Sequence, residues 1–130
     1  MIPATCFMVH DELYKETILE LNRNPLNKKA LVDFDVEMRE FNPVCGDDCT
    51  VRIKFAADDT ISDIGWQGSC CAISSAAMSL VSDEVKGKNK LLITQMNLEN
   101  INKLFGVDII PTRVQCALLG LKAVQKALLP

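Results

Sequence analysis

Asn42-Pro43-Val44-Cys45-Gly46-Asp47 lies between two runs in which apolar and polar residues alternate, and its reading as a tight turn between strands decides the fold. Before it, Phe34, Val36 and Met38 alternate with Asp35, Glu37 and Arg39, and this first strand ends near Phe41. After it, Val51, Ile53 and Phe55 face one way and Arg52 and Lys54 the other. A period of two marks a strand with one face buried. Pro43 fixes its own φ and pushes Asn42 toward an extended conformation, while Gly46 takes positive φ at little steric cost, so the backbone can reverse here. Such a turn aims a thiol and a carboxylate, Cys45 and Asp47, into one pocket.

A third run, Ile61 to Trp66, follows a hairpin turn at Ala57-Asp58-Asp59-Thr60 and breaks its alternation between Ile61 and Ile64, the mark of a bulge or slipped register. Three antiparallel strands with one apolar face need a cover, and the remaining sequence is helical in pattern. Val9 to Arg23 places Leu13, Tyr14, Thr17, Ile18 and Leu21 at helical spacing. From Cys71 to about Lys86, Ile73, Ala77, Leu80 and Val81 form one face among small residues that permit close approach. Lys86-Gly87-Lys88 closes that helix with a glycine and cations. Leu91 to Phe105 gives one helix or two, stopped by Gly106. Pro111-Thr112 opens the last helix, with Thr112 as N-cap and Val114, Leu118, Leu121, Val124 and Leu128 as its buried stripe. The expected fold is α+β, a small three-stranded antiparallel sheet covered by helices.

Length and charge bound the rest. A chain of 130 residues is expected to be one domain, 1–130, burying roughly two thirds of its unfolded surface. The net charge of −3, with lysines scattered, offers no basic face for nucleic acid or anionic lipid. Met1 to Val9 has no basic region followed by an apolar run, and no apolar stretch approaches the roughly 20 residues of a membrane span. A cytoplasmic protein is expected. In a reducing compartment the six cysteines stay free unless metal or catalysis uses them, so metal or sulfur chemistry is the better account of them than a disulfide framework.

A thiolate is both metal ligand and sulfur nucleophile, and a helix N-terminus places partial positive charge beside it. One of the Cys70-Cys71 pair and Cys116 stand at the first turns of predicted helices. With Cys45 and Asp47 they make a four-point site of three thiolates and one carboxylate, a donor set suited to zinc or to an iron–sulfur cluster with one oxygen ligand. The net negative charge left around a divalent ion disfavours deep burial and points to an exposed rim. Arg113, three residues before Cys116, would share its helical face and could stabilise the thiolate or contact a partner's acidic group. Spacing alone does not choose between Cys70 and Cys71. Cys49 reads as a small apolar residue entering the second strand, although Cys45 and Cys49 could chelate together. His10, the only histidine, reads as solvated or packed, and Cys6 is given no role.

The motifs Asn42-Pro43-Val44-Cys45-Gly46-Asp47, Gly68-Ser69-Cys70-Cys71-Ala72-Ile73-Ser74, Lys86-Gly87-Lys88 and Pro111-Thr112-Arg113-Val114-Gln115-Cys116-Ala117-Leu118-Leu119 resemble, in this order, the iron–sulfur cluster assembly proteins IscU, SufU and the NifU N-terminal domain. The resemblance implies Cys45, Asp47, Cys71 and Cys116 as the ligands of zinc or a nascent [2Fe-2S] cluster, with Cys71 chosen because Ala72-Ile73-Ser74 follows it. It also implies a cysteine desulfurase as sulfur donor, apo iron–sulfur proteins as acceptors, and Cys116 as candidate persulfide acceptor. Gln115 and Ile110-Pro111-Thr112-Arg113-Val114 depart from the IscU branch. Arg113 is SufU-like, which brings the chain closer to the branch viewed as a zinc-bound sulfur acceptor.

Overall fold

The structure is a computed structural model and describes residues 15–43 and 46–129. The alternating runs form strands β1 (Val36–Asn42), β2 (Asp47–Phe55) and β3 (Ile61–Ser69). They pair antiparallel in the order β1-β2-β3. Val36 lies opposite Ile53, and Asn42 opposite Asp47, across the first hairpin. The expected irregularity in the third strand is present: Lys54 pairs with Asp63 and Phe55 with Ile61, so Ser62 is the extra residue of a bulge. Its hydroxyl donates to the Lys54 carbonyl at 3.1 Å.

Side-chain alternation on β2 puts Asp47, Cys49, Val51 and Ile53 on the buried face. Asp47 is thus the polar end of an otherwise apolar stripe. Against this face packs α5 (Val114–Ala127), and against α5 packs α2 (Ala72–Val85). A Cβ on Gly120 of α5 would meet the Met78 side chain of α2 and come within 3.3 Å of its Cα, so the glycine permits the close crossing. Helix α1, described over 15–23, precedes the sheet. The predicted residues Val9 to Tyr14, with His10, and Cys6 lie outside the described residues.

The Leu91–Phe105 stretch resolves into two helices, α3 (Lys90–Thr94) and α4 (Leu98–Phe105). Asn97 caps α4, and Gly106 ends it in the left-handed conformation at φ 77°. Helix α2 ends as expected before Gly87 at φ 80°, and the Lys88 ammonium donates to the Glu84 carbonyl at 2.8 Å.

The last helix departs from expectation in two ways. Thr112 is not its N-cap: Pro111–Arg113 form a 3-10 turn, and α5 begins at Val114 with no side-chain cap. Pro111, with φ already set, starts the turn earlier than the periodicity suggested. Leu121 and Val124 of the expected stripe are buried, but Val114, Leu118 and Leu128 are only partly so. Because α5 is covered by the sheet on one side and α2 on the other, its buried face is broader and centred on Ala117, Gly120, Leu121 and Val124. Among the described residues no helix is long and apolar enough to cross a membrane.

Candidate metal centre

Three chain segments converge at the Asp47 end of the sheet. Gly46, at φ 72°, donates its amide to the Asn42 carbonyl at 2.8 Å, closing the turn that starts β2 at Asp47. The β2–β3 hairpin then returns the chain to the same end. Gly68, at φ 153°, lies so close to the Asp48 carbonyl that any Cβ would overlap it, and this approach delivers Cys71 beside Asp47. Cys71 is the N-cap of α2. Cys116 is the third residue of α5, facing inward.

The Asp47 carboxylate and the Cys71 and Cys116 sulfurs lie within 4.8 Å of one another. Tetrahedral zinc, with bonds of about 2.3 Å to sulfur and 2.0 Å to oxygen, needs its ligand atoms roughly 3.5–3.8 Å apart. A small contraction of the three donors meets that requirement, so two sulfurs and one carboxylate oxygen fit a zinc ion lacking only a fourth ligand. Cys45, the expected fourth, lies outside the described residues.

Ser74 ties the donors together. Its hydroxyl lies 2.7 Å from Asp47 Oδ2 and 3.0 Å from the Cys116 carbonyl, and it donates toward these acceptors. Its amide donates to Cys71 Sγ at 3.5 Å, and its oxygen is 3.4 Å from that sulfur. The Cys71 amide donates to Asp47 Oδ1 at 2.8 Å, so the carboxylate sits on the N-terminus of α2. A carboxylate has about four lone-pair sites, which leaves Asp47 capacity for a metal ion beside these two bonds.

Two expectations about this region are corrected. The site is no exposed rim: Cys116 is wholly buried, Asp47 is 3% exposed and Cys71 is half-buried. Asp47 tolerates this because an amide and a hydroxyl replace water on its two oxygens. Nor is the Cys71 thiol lowered on balance, although the α2 N-terminus acts in that direction through the Ser74 amide. Burial pushes it up, the Ser74 hydroxyl and amide offset this in part, and Cys116 and Asp47 push it up again.

Cys70 and Cys49 stand outside this trio and face each other. Cys49 is 1% exposed, with its sulfur 3.4 Å from Met78 Sδ. Cys70 is half-buried, and its sulfur lies 3.2 Å from the Asp48 carbonyl. Interaction with Cys49 holds the Cys70 thiol below its ordinary value, while interaction with Cys70 together with burial pushes the Cys49 thiol far up. Of the adjacent cysteines it is therefore Cys71 that meets Asp47 and Cys116. Arg113 is exposed in the 3-10 turn and precedes α5, so it does not share a helical face with Cys116 as expected. Sequence reasoning missed Ser74, counted only as a small residue. Its place three residues after Cys71, where an N-cap side chain meets a backbone amide, was the available signal.

A three-stranded sheet covered by helices, with thiols and a carboxylate gathered at one end, defines a small α+β protein with a candidate metal site of two cysteines and one aspartate among the described residues. The chain belongs to the NifU-like N-terminal domain family, which it matches over residues 13–129. It is 33% identical to the zinc-dependent sulfurtransferase SufU of Bacillus subtilis (strain 168), over 89% of each chain. It is equally, 33%, identical to the iron–sulfur cluster assembly scaffold protein IscU of Streptococcus pyogenes serotype M1, covering 91% of this chain and 84% of that one. Its fold is similar to the crystal structure of a putative iron–sulfur cluster assembly scaffold protein for the SUF system from Fervidobacterium islandicum AW-1. The TM-score is 0.77 at 26% identity, covering 91% of this chain and 98% of the other. The expected family and the α+β fold are both shown, and the family is one of iron–sulfur assembly scaffolds and SufU-type sulfur-transfer proteins.

Proposed function

We infer that this chain is a sulfur acceptor for iron–sulfur cluster assembly, taking sulfane sulfur from a cysteine desulfurase at a zinc centre and passing it toward cluster-building or apo acceptor proteins. The observation that carries this reading is the mutual approach of Asp47, Cys71 and Cys116 within 4.8 Å. Three donors that close suit a single ion, whereas ligands on the two irons of a [2Fe-2S] cluster stand further apart. Asp47, Cys71 and Cys116 would hold zinc, with Cys45 as fourth ligand. Bound zinc keeps the thiols deprotonated and masked against stray oxidation.

Transfer itself is thiol exchange. A thiolate of the centre attacks the outer sulfur of the desulfurase persulfide, the donor cysteine leaves as thiolate, and no net oxidation occurs. Cys116 is the proposed acceptor. Because it is wholly buried, sulfur reaches it only when the first turn of α5 moves away from α2. Half-buried Cys71 is the thiol nearer solvent, and Arg113, exposed beside the opening turn of α5, offers a charge for docking. The second reading, a scaffold carrying a [2Fe-2S] cluster as cargo on the same ligands, is favoured by the equal identity to an IscU relative.

Metal analysis of freshly isolated protein, followed by desulfurase assays, separates them. Zinc near stoichiometric, with desulfurase turnover stimulated and that stimulation lost in Cys116→Ala, supports sulfur transfer. Iron and sulfide, with a cluster that moves to an apo acceptor, supports the scaffold. Neither metal and no stimulation would overturn both.

A further inference from the structure

We propose that Ser74 is a one-proton switch on the opening turn of α5. Its hydroxyl donates to Asp47 while that carboxylate carries its full charge, and to the Cys116 carbonyl once a bound cation has drawn the charge away. The second state fastens the turn over Cys116. Ser74 is thereby a positioning residue, acting through the segment that carries the acceptor thiol. The inference deepens the sulfur-acceptor reading and rests on it for the use made of Cys116.

A serine hydroxyl has one proton to give. At Ser74 two oxygens compete for it, Asp47 Oδ2 at 2.7 Å and the Cys116 carbonyl at 3.0 Å. The rivals stand on different elements, β2 and α5, while Ser74 belongs to α2. All three residues are buried, so bulk water does not blur the competition. A hydrogen bond to an ionised acceptor is roughly twice as strong as one to a neutral group. In the metal-free chain the proton therefore lies on Asp47, and the Cys116 carbonyl faces the lone pairs of the serine oxygen.

The start of α5 is where a change of acceptor is felt. This helix begins without a side-chain cap, after the exposed 3-10 turn Pro111–Arg113. A carbonyl has two lone pairs, so a bond from Ser74 adds to the helix's own i to i+4 bond at Cys116. With a cation held between Asp47 and the two sulfurs, which lie within 4.8 Å of one another, the carboxylate loses much of its pull on the serine proton. The carbonyl then takes that proton and the turn is pinned to α2. An emptied site releases the same turn, the movement that buried Cys116 needs to meet sulfur.

The test uses the full chain without metal, under chelator and reductant, and reads iodoacetamide labelling of each cysteine by peptide mass. Asp47→Asn imitates the discharged carboxylate. Its oxygen keeps the bond from the Cys71 amide, made to Oδ1 at 2.8 Å. Its amide nitrogen, in the place of Oδ2, donates to the serine oxygen and leaves the serine proton to the Cys116 carbonyl. Labelling of buried Cys49 reports global opening, and dividing by it isolates the local opening of α5. Asp47→Asn should slow the normalised labelling of Cys116 by about two- to tenfold more in the parent background than in Ser74→Ala, the worth of one neutral hydrogen bond. A difference below about twofold between the backgrounds would overturn the proposal. Where Asp47→Asn does not fold, the Cys116 carbonyl carbon resonance decides. One equivalent of zinc should move it downfield by more in the parent than in Ser74→Ala, and equal shifts would overturn the proposal. No desulfurase enters either measurement, so absence of desulfurase stimulation would count against the sulfur-acceptor reading alone.

Discussion

Replacing Ser74 by Ala removes the hydroxyl that joins Asp47 to the backbone of α5, and its cost can be worked from the contacts. Ser74 is 1% exposed and its oxygen lies 2.7 Å from Asp47 Oδ2. Loss of a hydrogen bond to a charged group costs about 1.5–3 kcal/mol, more so where water cannot take its place. Alanine returns a few tenths of a kcal/mol as the better helix former. The net loss is about 1–2.5 kcal/mol in the metal-free chain, which for a domain of this size lowers the melting temperature by roughly 3–10 °C. The amide of Cys71 still holds Asp47 Oδ1, so the carboxylate stays nearby but turns more freely. Removal of such an outer partner costs metal affinity about 10–100-fold. Thermal unfolding of the metal-free protein and zinc competition against a chromophoric chelator measure the two effects, with Ser75→Ala as the neighbouring control. A melting temperature within about 1 °C of the parent, together with zinc affinity changed less than about twofold, would refute the role given to Ser74.

Gly68→Ala should destabilise the fold by about 1–3 kcal/mol or prevent folding, because its Cβ would overlap the Asp48 carbonyl and its φ is positive; denaturant titration reads this. Zinc affinity should rise with pH across the neutral range, by about tenfold per unit for each proton displaced, since burial holds the Cys71 thiol protonated in the free site. Affinity flat with pH would count against it. The metal-free chain should lose stability as pH rises above about 9.0, the ordinary value for Cys49. There the unfolded chain releases a proton that the folded chain keeps, so the slope of stability with pH is negative. Cys71, also raised, adds to the fall, while the stabilising contribution of lowered Cys70 is already complete. Cys49→Ala should flatten the alkaline limb in equilibrium unfolding, and an unchanged limb would show that Cys49 does not titrate as described.

Much of the architecture was legible before any coordinates. Alternation at Val36, Met38, Val51 and Ile53 determined the strands, and the break between Ile61 and Ile64 marked the bulge. These signals are local, set by which side of a strand each residue faces. The start of α5 was misplaced because Pro111 permits a 3-10 turn and an α-helix equally well, and packing chose between them. The breadth of the α5 face was missed because periodicity does not report that two layers cover one helix.

The sequence alone settled the identity of the fold and nominated sulfur and carboxylate donors near turns and helix starts, because those are properties of neighbouring residues. Its spacing left Cys70 and Cys71 equivalent, with only the family resemblance favouring Cys71, and gave no sign that the Ser74 hydroxyl reaches both Asp47 and the Cys116 carbonyl. Strand register and the close approach at Gly68 decided those points. They bring together groups more than twenty positions apart, and no local pattern encodes which distant partner fills the space beside a given side chain.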